Sequence, residues 1–257
     1  MPLFHKIRKN EIKIEGLKRY FLYAIGEIVL VVLGILIALE INNWNEGKKT
    51  TQQEALYLQR LLLENKQDIL TIDKSIAALE RGNQSIQHMT RMLSDKTVTD
   101  SALNNSVSAY LLYGSMYPLF NPSTSTFEDL ASTGNLEVIG DTKLRDQIVT
   151  HYTNYKYTES NFELNTKWVL AIDAPFYTDH DFLNHEPTTT DLFGEMDSRE
   201  AAAELKDRKA MLIRNAAAHS WANTACIRLL RDIRKETNNL IKELKRTIAL
   251  KNDGEMV

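Results

Sequence analysis

The sequence predicts an all-α protein: one transmembrane helix near the N-terminus, then an elongated antiparallel helical bundle with coiled-coil-like long helices. Three observations carry this expectation. Glycine (10) and proline (5) are scarce in 257 residues, which favours long helices over a turn-rich β architecture. Glu27 and Glu40 are the only charges in the apolar run from Phe21 to Ile41, and those about 21 residues make a helix of roughly 31 Å, the thickness of a bilayer's hydrocarbon. Apolar residues then recur at heptad spacing from residue 50 to 93 with no proline among them.

The first element is a basic tail, residues 1–19. Its six lysines and arginines against Glu11 and Glu15 give about +4, which leaves about −7 on the rest of a chain of net charge −3. A basic start followed by an apolar stretch also fits a cleavable signal peptide. The apolar region is long, however, and Leu39-Glu40-Ile41-Asn42 offers no small-residue cleavage pattern. A core helix of a soluble protein rarely runs this far without a polar face. Tyr20, Tyr23 and Trp44 stand where interfacial aromatics would flank a span. The reading is an uncleaved transmembrane helix over residues 20–42. The basic tail then stays in the cytoplasm and residues 43–251 form an extracytoplasmic bundle, with 252–257 a disordered tail. The lipid bilayer is the first expected partner.

The segment "YAIGEIVLVVLGILIALEINNWNE" resembles the anchor of an uncharacterised bacterial family of single-pass inner-membrane proteins, a domain of unknown function. The likeness rests on Tyr23-Ala24-Ile25-Gly26-Glu27-Ile28 and on Ile41-Asn42-Asn43-Trp44-Asn45-Glu46. A looser match is "STFEDLASTGNLEVIGDTKLRDQI", residues 125–148. The sequence departs from the family pattern at Glu40, where glutamine is expected. The resemblance implies a bacterial inner-membrane location with a periplasmic bulk, and it implies no activity.

Within the span, Glu27, Val31, Gly34 and Ala38 follow helical spacing and share one face. Gly34 and Ala38 form a small-xxx-small pair that admits a second helix closely. A carboxylate in hydrocarbon costs a few kcal/mol unless paired, protonated or near headgroups. Helix docking by this face is the leading reading. Placement of Glu27 at the headgroups and a proton or ion path are the alternatives.

The bundle elements follow in order. The heptad over 50–93 has one register at Ala55, Leu62, Ile69, Ile76, Asn83 and Thr90, and another at Leu58, Asn65, Ile72, Leu79, Ile86 and Leu93. Asn65 and Asn83 are polar seam positions of the kind that fix register. A weaker helix spans 100–114, and Pro118 and Pro122 break the chain. A short helix around 124–133 ends at Gly134. Asp141 caps the next helix, which carries Leu144, Ile148, Tyr152, Tyr155, Phe162, Val169 and Ile172 and stops before Pro175. Its aromatic stripe, with Trp168, reads as core rather than as a ligand groove. Residues 174–197 read as a loop. Asp197 with Glu200 opens a last helix running unbroken to about Lys251. Leu205, Leu212, Ala216, Cys226, Leu230, Ile233, Leu240 and Leu244 line its seam, with His219 as a core histidine and Cys226 as a small hydrophobe.

Chemistry is sparse. The stretch "DAPFYTDHDFLNHE" gathers carboxylates and histidines, and His180, Asp181, His185 and Glu186 are its metal-ligand candidates. Their spacing fits no helical ligand motif, so a solvated loop is the expectation and no cofactor is assigned. No phosphate loop, nucleophile elbow or Cys-x-x-Cys is present. A pI near 6.1 argues against nucleic acid despite basic residues such as Arg228 and Arg231. The sequence reads as a non-enzymatic, membrane-anchored interaction or scaffold module that pairs with itself or with another membrane protein. A ligand-sensing outer domain signalling through a separate membrane partner is the alternative.

Overall fold

The computed structural model describes residues 3–179, 182–194 and 196–254, and describes side chains only from residue 19 to residue 251. No strand occurs among the described residues. The chain divides into two compact units, residues 1–55 and 56–257.

Unit 1 is the first part of helix α1 (Leu3–Ser94). The basic stretch from Leu3, the apolar run and the polar residues after Trp44 are helical without a break. Large apolar side chains from Tyr20 to Trp44 are exposed all round the helix, Leu30 to 73% and Tyr23 to 82%. Nothing within the unit covers them, and the helix is long and apolar enough to cross a membrane.

Unit 2 is an up-down-up-down bundle whose second leg is broken. The remainder of α1 runs up. The descending leg consists of α2 (Asp100–Ala109), a π-turn (Tyr110–Gly114), an irregular stretch through Pro118 and Pro122, and α3 (Ser125–Ser132). Helix α4 (Thr142–Thr178) runs up again, and α7 (Lys209–Gly254) runs down. A 3₁₀ turn (Phe182–His185), α5 (Thr190–Phe193) and α6 (Ser198–Asp207) lie between α4 and α7.

Contacts between legs fix these directions. Arg231 meets Glu80 at 2.7 Å and Arg234 meets Asp73 at 2.5 Å, so α7 antiparallels α1. Asn154 bonds Glu236 at 2.8 Å near one end of α4 while Asp173 meets α7 at His219 near the other. The exposed ion pairs mark register and add little stability. One apolar core, from Leu58 and Ile72 to Tyr155, Leu230 and Leu244, fills the end of the bundle at which the chain enters. A second, from Ile86 and Leu103 to Phe176, Leu205 and Leu212, fills the other end.

Several local expectations hold. Asp141 caps α4 by accepting from the Lys143 and Leu144 amides at 2.9 and 3.2 Å. Asp197 caps α6 in the same way through Arg199 and Glu200. Gly134 follows α3 at φ 72°, a left-handed backbone that glycine adopts without steric cost. The whole seam from Leu205 to Leu244 is buried, and burial pushes the Cys226 thiol up to about 11. Tyr152 and Tyr155 are core, as the stripe suggested, whereas Trp168 stays 45% exposed and meets Trp221 edge-on at 5.0 Å.

Other expectations are corrected. The register Leu58, Asn65, Ile72, Leu79, Ile86, Leu93 is buried, but its companion is Leu61, Asp68, Gly82 and Met89, not the set beginning at Ala55. The true seam is one residue off because polar residues occupy it and find distant partners. Asp68 accepts from the Ser123 amide at 2.9 Å and from Tyr155 Oη at 3.1 Å. Helix α4 passes through Pro175, whose missing amide costs one bond while Phe176 stacks on Phe182 at 4.1 Å and keeps the last turn packed. The last helix is interrupted at Arg208, because α6 turns aside to pack on α2 through Asn104–Ser198 and Lys206–Asp100. Of the tail expected to be disordered, 252–254 continue α7 and 255–257 lie outside the described residues.

His151 offers a direct test of this packing. It is 4% exposed, neither ring nitrogen has a hydrogen-bond partner, and burial lowers its pKa to about 4. Its folded pKa lies below the unfolded value of 6.5, so the unfolded chain takes the proton first. The bundle therefore loses stability as pH falls from 6.5 towards 4. In urea unfolding of the full chain at pH 7 and pH 4.5, His151→Leu is expected to shrink the pH-dependent loss by about 2 kcal/mol. An unchanged loss would mean that His151 is hydrated.

Candidate functional site

The two apolar cores are separated by a buried polar layer, and that layer lies where the descending leg is broken. Pro118 and Pro122 supply no amide donor and disfavour helix at the residues before them, so this leg cannot satisfy its own backbone. Its polar groups must be met by the neighbouring legs.

The lower part of the break is held by α1. Glu64 accepts from Ser125 Oγ at 2.7 Å, Thr126 Oγ1 at 2.6 Å and the Thr126 amide at 3.3 Å. Thr124 supplies no side-chain cap to α3, so a carboxylate from another helix meets its positive end instead. Asp68, one turn further along α1, takes the Ser123 amide. Burial raises the Asp68 pKa, and its hydrogen bonds oppose that rise without cancelling it. Above Ser123, Phe120 packs edge-on against Tyr155 at 5.5 Å, and Thr166 Oγ1 donates to the Pro118 carbonyl at 3.1 Å.

The upper part of the break is the π-turn. The Ser115 amide closes it on the Tyr110 carbonyl at 3.0 Å, and Ser115 Oγ lies 3.0 Å from Tyr177 Oη. The extra residue in this wide turn brings the backbone close to α1. A Cβ on Gly82 would stand 2.9 Å from the Tyr113 carbonyl oxygen, so glycine is needed there. Single π-turns of this kind concentrate at functional sites.

Behind the turn sits a buried carboxylate. Asp173 is 2% exposed, and His219 Nε2 lies 3.0 Å from both of its oxygens. Asn215 Nδ2 donates to the same carboxylate at 2.6 Å, and Tyr110 Oη donates to Asn215 Oδ1. The Tyr110 and Tyr117 rings lie 6.4 and 6.3 Å from the imidazole. Burial, and then the Asp173 charge, holds the Tyr117 hydroxyl well above its usual range. Burial pushes Tyr177 up to about 12, so these hydroxyls remain protonated. His219 Nδ1 is buried and has no hydrogen-bond partner. Asp173 thus holds an imidazole with one nitrogen free, but no nucleophile meets that nitrogen among the described residues.

A cavity of about 190 Å³ opens beside this layer, lined by Ser75, Leu79, Tyr113, Met116, Tyr117 and Asn223, among others. Asn223 is 2% exposed and donates from Nδ2 to Asn83 Oδ1 at 3.4 Å, while its own Oδ1 is buried without a partner. Asn83, in turn, donates to Thr224 Oγ1 at 3.5 Å.

The residues singled out from sequence are scattered over the molecule. Glu27, Val31, Gly34 and Ala38 lie on the uncovered helix, and a Cβ on Gly34 would meet nothing within 4 Å. Tyr20, Tyr23 and Trp44 are exposed at its two ends, with Lys48 5.8 Å above the Trp44 ring. Of the metal candidates, His180 and Asp181 lie outside the described residues. His185 is buried with Nε2 3.4 Å from Glu204, and its pKa is lowered by desolvation against the pull of that carboxylate. Glu186 instead accepts from the Thr188 amide at 2.8 Å. No group of three or more metal-ligating side chains forms among the described residues. Asp173 was legible only as part of the acidic stretch, and nothing in the sequence pairs it with His219, 46 residues away.

The chain belongs to a family of unknown function (DUF6090), whose pattern matches residues 27–174, more than half of its length. The match takes in Glu27, the broken leg and Asp173, and ends before α7. No curated protein and no solved structure matches the chain.

The Asp173 layer predicts strong coupling. Asp173→Leu leaves His219 and Asn215 buried without their acceptor and is expected to cost about 3–5 kcal/mol. His219→Leu in the same background should cost less than the sum of the two single changes, by about 1–3 kcal/mol. A urea double-mutant cycle reads both numbers, and strict additivity would dissolve the network.

Proposed function

We propose that this member of a family of unknown function is a membrane-anchored interaction module. It is held in a bacterial inner membrane by residues 20–42, with its basic tail cytoplasmic and its bundle periplasmic. The observation that carries the reading is the apolar helix with no cover in its own unit. The charge of about +4 before the span against about −7 after it supports the orientation. A Cβ on Gly34 would meet nothing within 4 Å among the described residues, so the close approach that glycine permits is available to a second helix. Glu27 shares that face and gains a partner there in place of costly exposure to hydrocarbon. The occupant is a second copy or another membrane protein, and the module binds rather than catalyses.

Ligand sensing through a separate membrane partner is the second reading, and the cavity beside the π-turn favours it. Its lining, with Leu79, Tyr113, Met116 and Tyr117, is largely apolar and aromatic, as small-molecule sites generally are.

Mild-detergent purification of the full chain from native membranes, beside Glu27→Leu and Gly34→Leu, tests the docking face. Partners or self-association recovered by the wild type should fall at least roughly tenfold in both variants, the loss expected when a close helix contact and a buried polar pairing are removed. Equal recovery in all three would end the docking reading and place Glu27 among the headgroups.

A further inference from the structure

We propose that the outer face of α1 in unit 2, at Leu56, Leu63 and Leu70, pairs side by side with the same face of a second copy of the chain. The inference rests on the membrane-anchored reading and names a partner for the bundle itself. Helix α1 carries more apolar rows than its own bundle uses. The row from Leu58 to Leu93 faces the other legs, as do Leu61 and Met89. Leu56, Leu63 and Leu70 are instead 56%, 65% and 55% exposed, and each stands seven residues from the next. Single surface leucines are ordinary, but the face of a straight helix drifts by about 20° in every seven residues. A strict seven-residue row stays in line only against another long helix, and the buried row from Leu58 packs at that same spacing.

The bundle frames this row without covering it. On one flank Asp73 and Glu80 turn to α7, where Arg234 and Arg231 meet them. On the other flank Arg60 meets Asp129 of α3 at 3.4 Å, and Glu64 takes the Ser125 and Thr126 hydroxyls. Four charges are thereby drawn sideways onto the molecule's own legs. Gln59, Gln67 and Ala77 continue the exposed face without charge, and Lys66 and Lys74 reach solvent on long stems. A face of this kind raises little field against its own copy.

The anchor selects the occupant. Copies held in one membrane by residues 20–42 reach Leu56 over the same length of chain, so two of them bring like leucines together in a parallel pair. The contact is isologous and closes at two copies. One leucine row per copy is narrower than the seam of a self-sufficient coiled coil. Confinement to a membrane raises the effective concentration that such a narrow contact needs.

The test uses the full chain in liposomes, with Cys226→Ala so that an introduced cysteine is the only one. Under mild oxidation Leu63→Cys should give a disulfide-linked dimer, which requires like Cα atoms within about 7 Å. Leu164→Cys on α4, equally exposed at 66%, reports chance collision and should cross-link at least about tenfold more slowly. Energy transfer between labelled copies reads the affinity. Replacing the row by Leu56→Gln, Leu63→Gln and Leu70→Gln should weaken pairing by roughly tenfold or more and leave the circular dichroism unchanged, because the row is exposed in a single copy. Equal cross-linking at the two cysteines, or unchanged transfer in the glutamine variant, would overturn the proposal; loss of transfer in Gly34→Leu would then leave docking by the span standing. Absence of transfer in the wild type would overturn it too, with docking onto another membrane protein still standing. A chain that fails to float with the liposomes would overturn the anchor and the proposal together.

Discussion

A leg of a helical bundle that cannot be a helix must borrow its hydrogen bonds from the legs beside it, and this constraint organises the whole of unit 2. Pro118 and Pro122 impose it. Below them Glu64 and Asp68 reach out of α1 to take the Ser123 and Thr126 amides, and above them Tyr177 and Thr166 reach out of α4. Each borrowed bond requires a polar residue on an inward face of a long helix. Asp68 accordingly sits inside the first apolar core, bonded to Tyr155, and the polar groups around Asp173 lie between that core and the second.

That layer also sets how the legs slide. A one-turn shift of α4 along α7 would carry Asp173 away from His219 and Asn215 and strand three buried polar groups, at about 1–3 kcal/mol each. The apolar contacts on either side are far less selective, because Leu, Ile and Val exchange neighbours at small cost. Lower in the bundle, Asn65 bonds Tyr152 at 3.2 Å and Asp68 bonds Tyr155, which locks α1 to α4 by the same principle. Register in this bundle is thus written mainly in its few buried polar pairs, and depth in its hydrophobes.

The same division decides what could be read from the sequence. Features set within one helical turn were legible: the caps at Asp141 and Asp197, the left-handed Gly134, the apolar seam from Leu205 to Leu244. Features set by a residue far along the chain were not. Asp68 looks like a surface residue until the rest of the bundle is folded around it, so the apolar Ile69 drew the seam one position off. Pro175 reads as a stop because the stacking of Phe176 on Phe182 that carries the helix past it is tertiary. The break at Arg208 depends on α2 offering a surface to α6. Gly82 reads as a weak point in a heptad, and only the π-turn pressed against it explains the absence of a side chain.

Two buried polar atoms without hydrogen-bond partners, His219 Nδ1 and Asn223 Oδ1, lie close to this layer, and others lie elsewhere in the bundle at Asn65, His151, Asn104 and His185. A bundle built only for stability would fill the space between its two cores with hydrophobes, since replacing buried polar groups by well-packed apolar ones is often neutral or favourable. Here the layer keeps Asp173 partnered by His219 and Asn215, while His219 Nδ1 and Asn223 Oδ1 are buried without hydrogen-bond partners. Each such atom costs stability. The cavity wall at Tyr113, Met116 and Tyr117 is made by the broken leg itself, so anything bound there would stabilise that leg. A ligand there would tighten the one segment of the bundle that cannot hold itself.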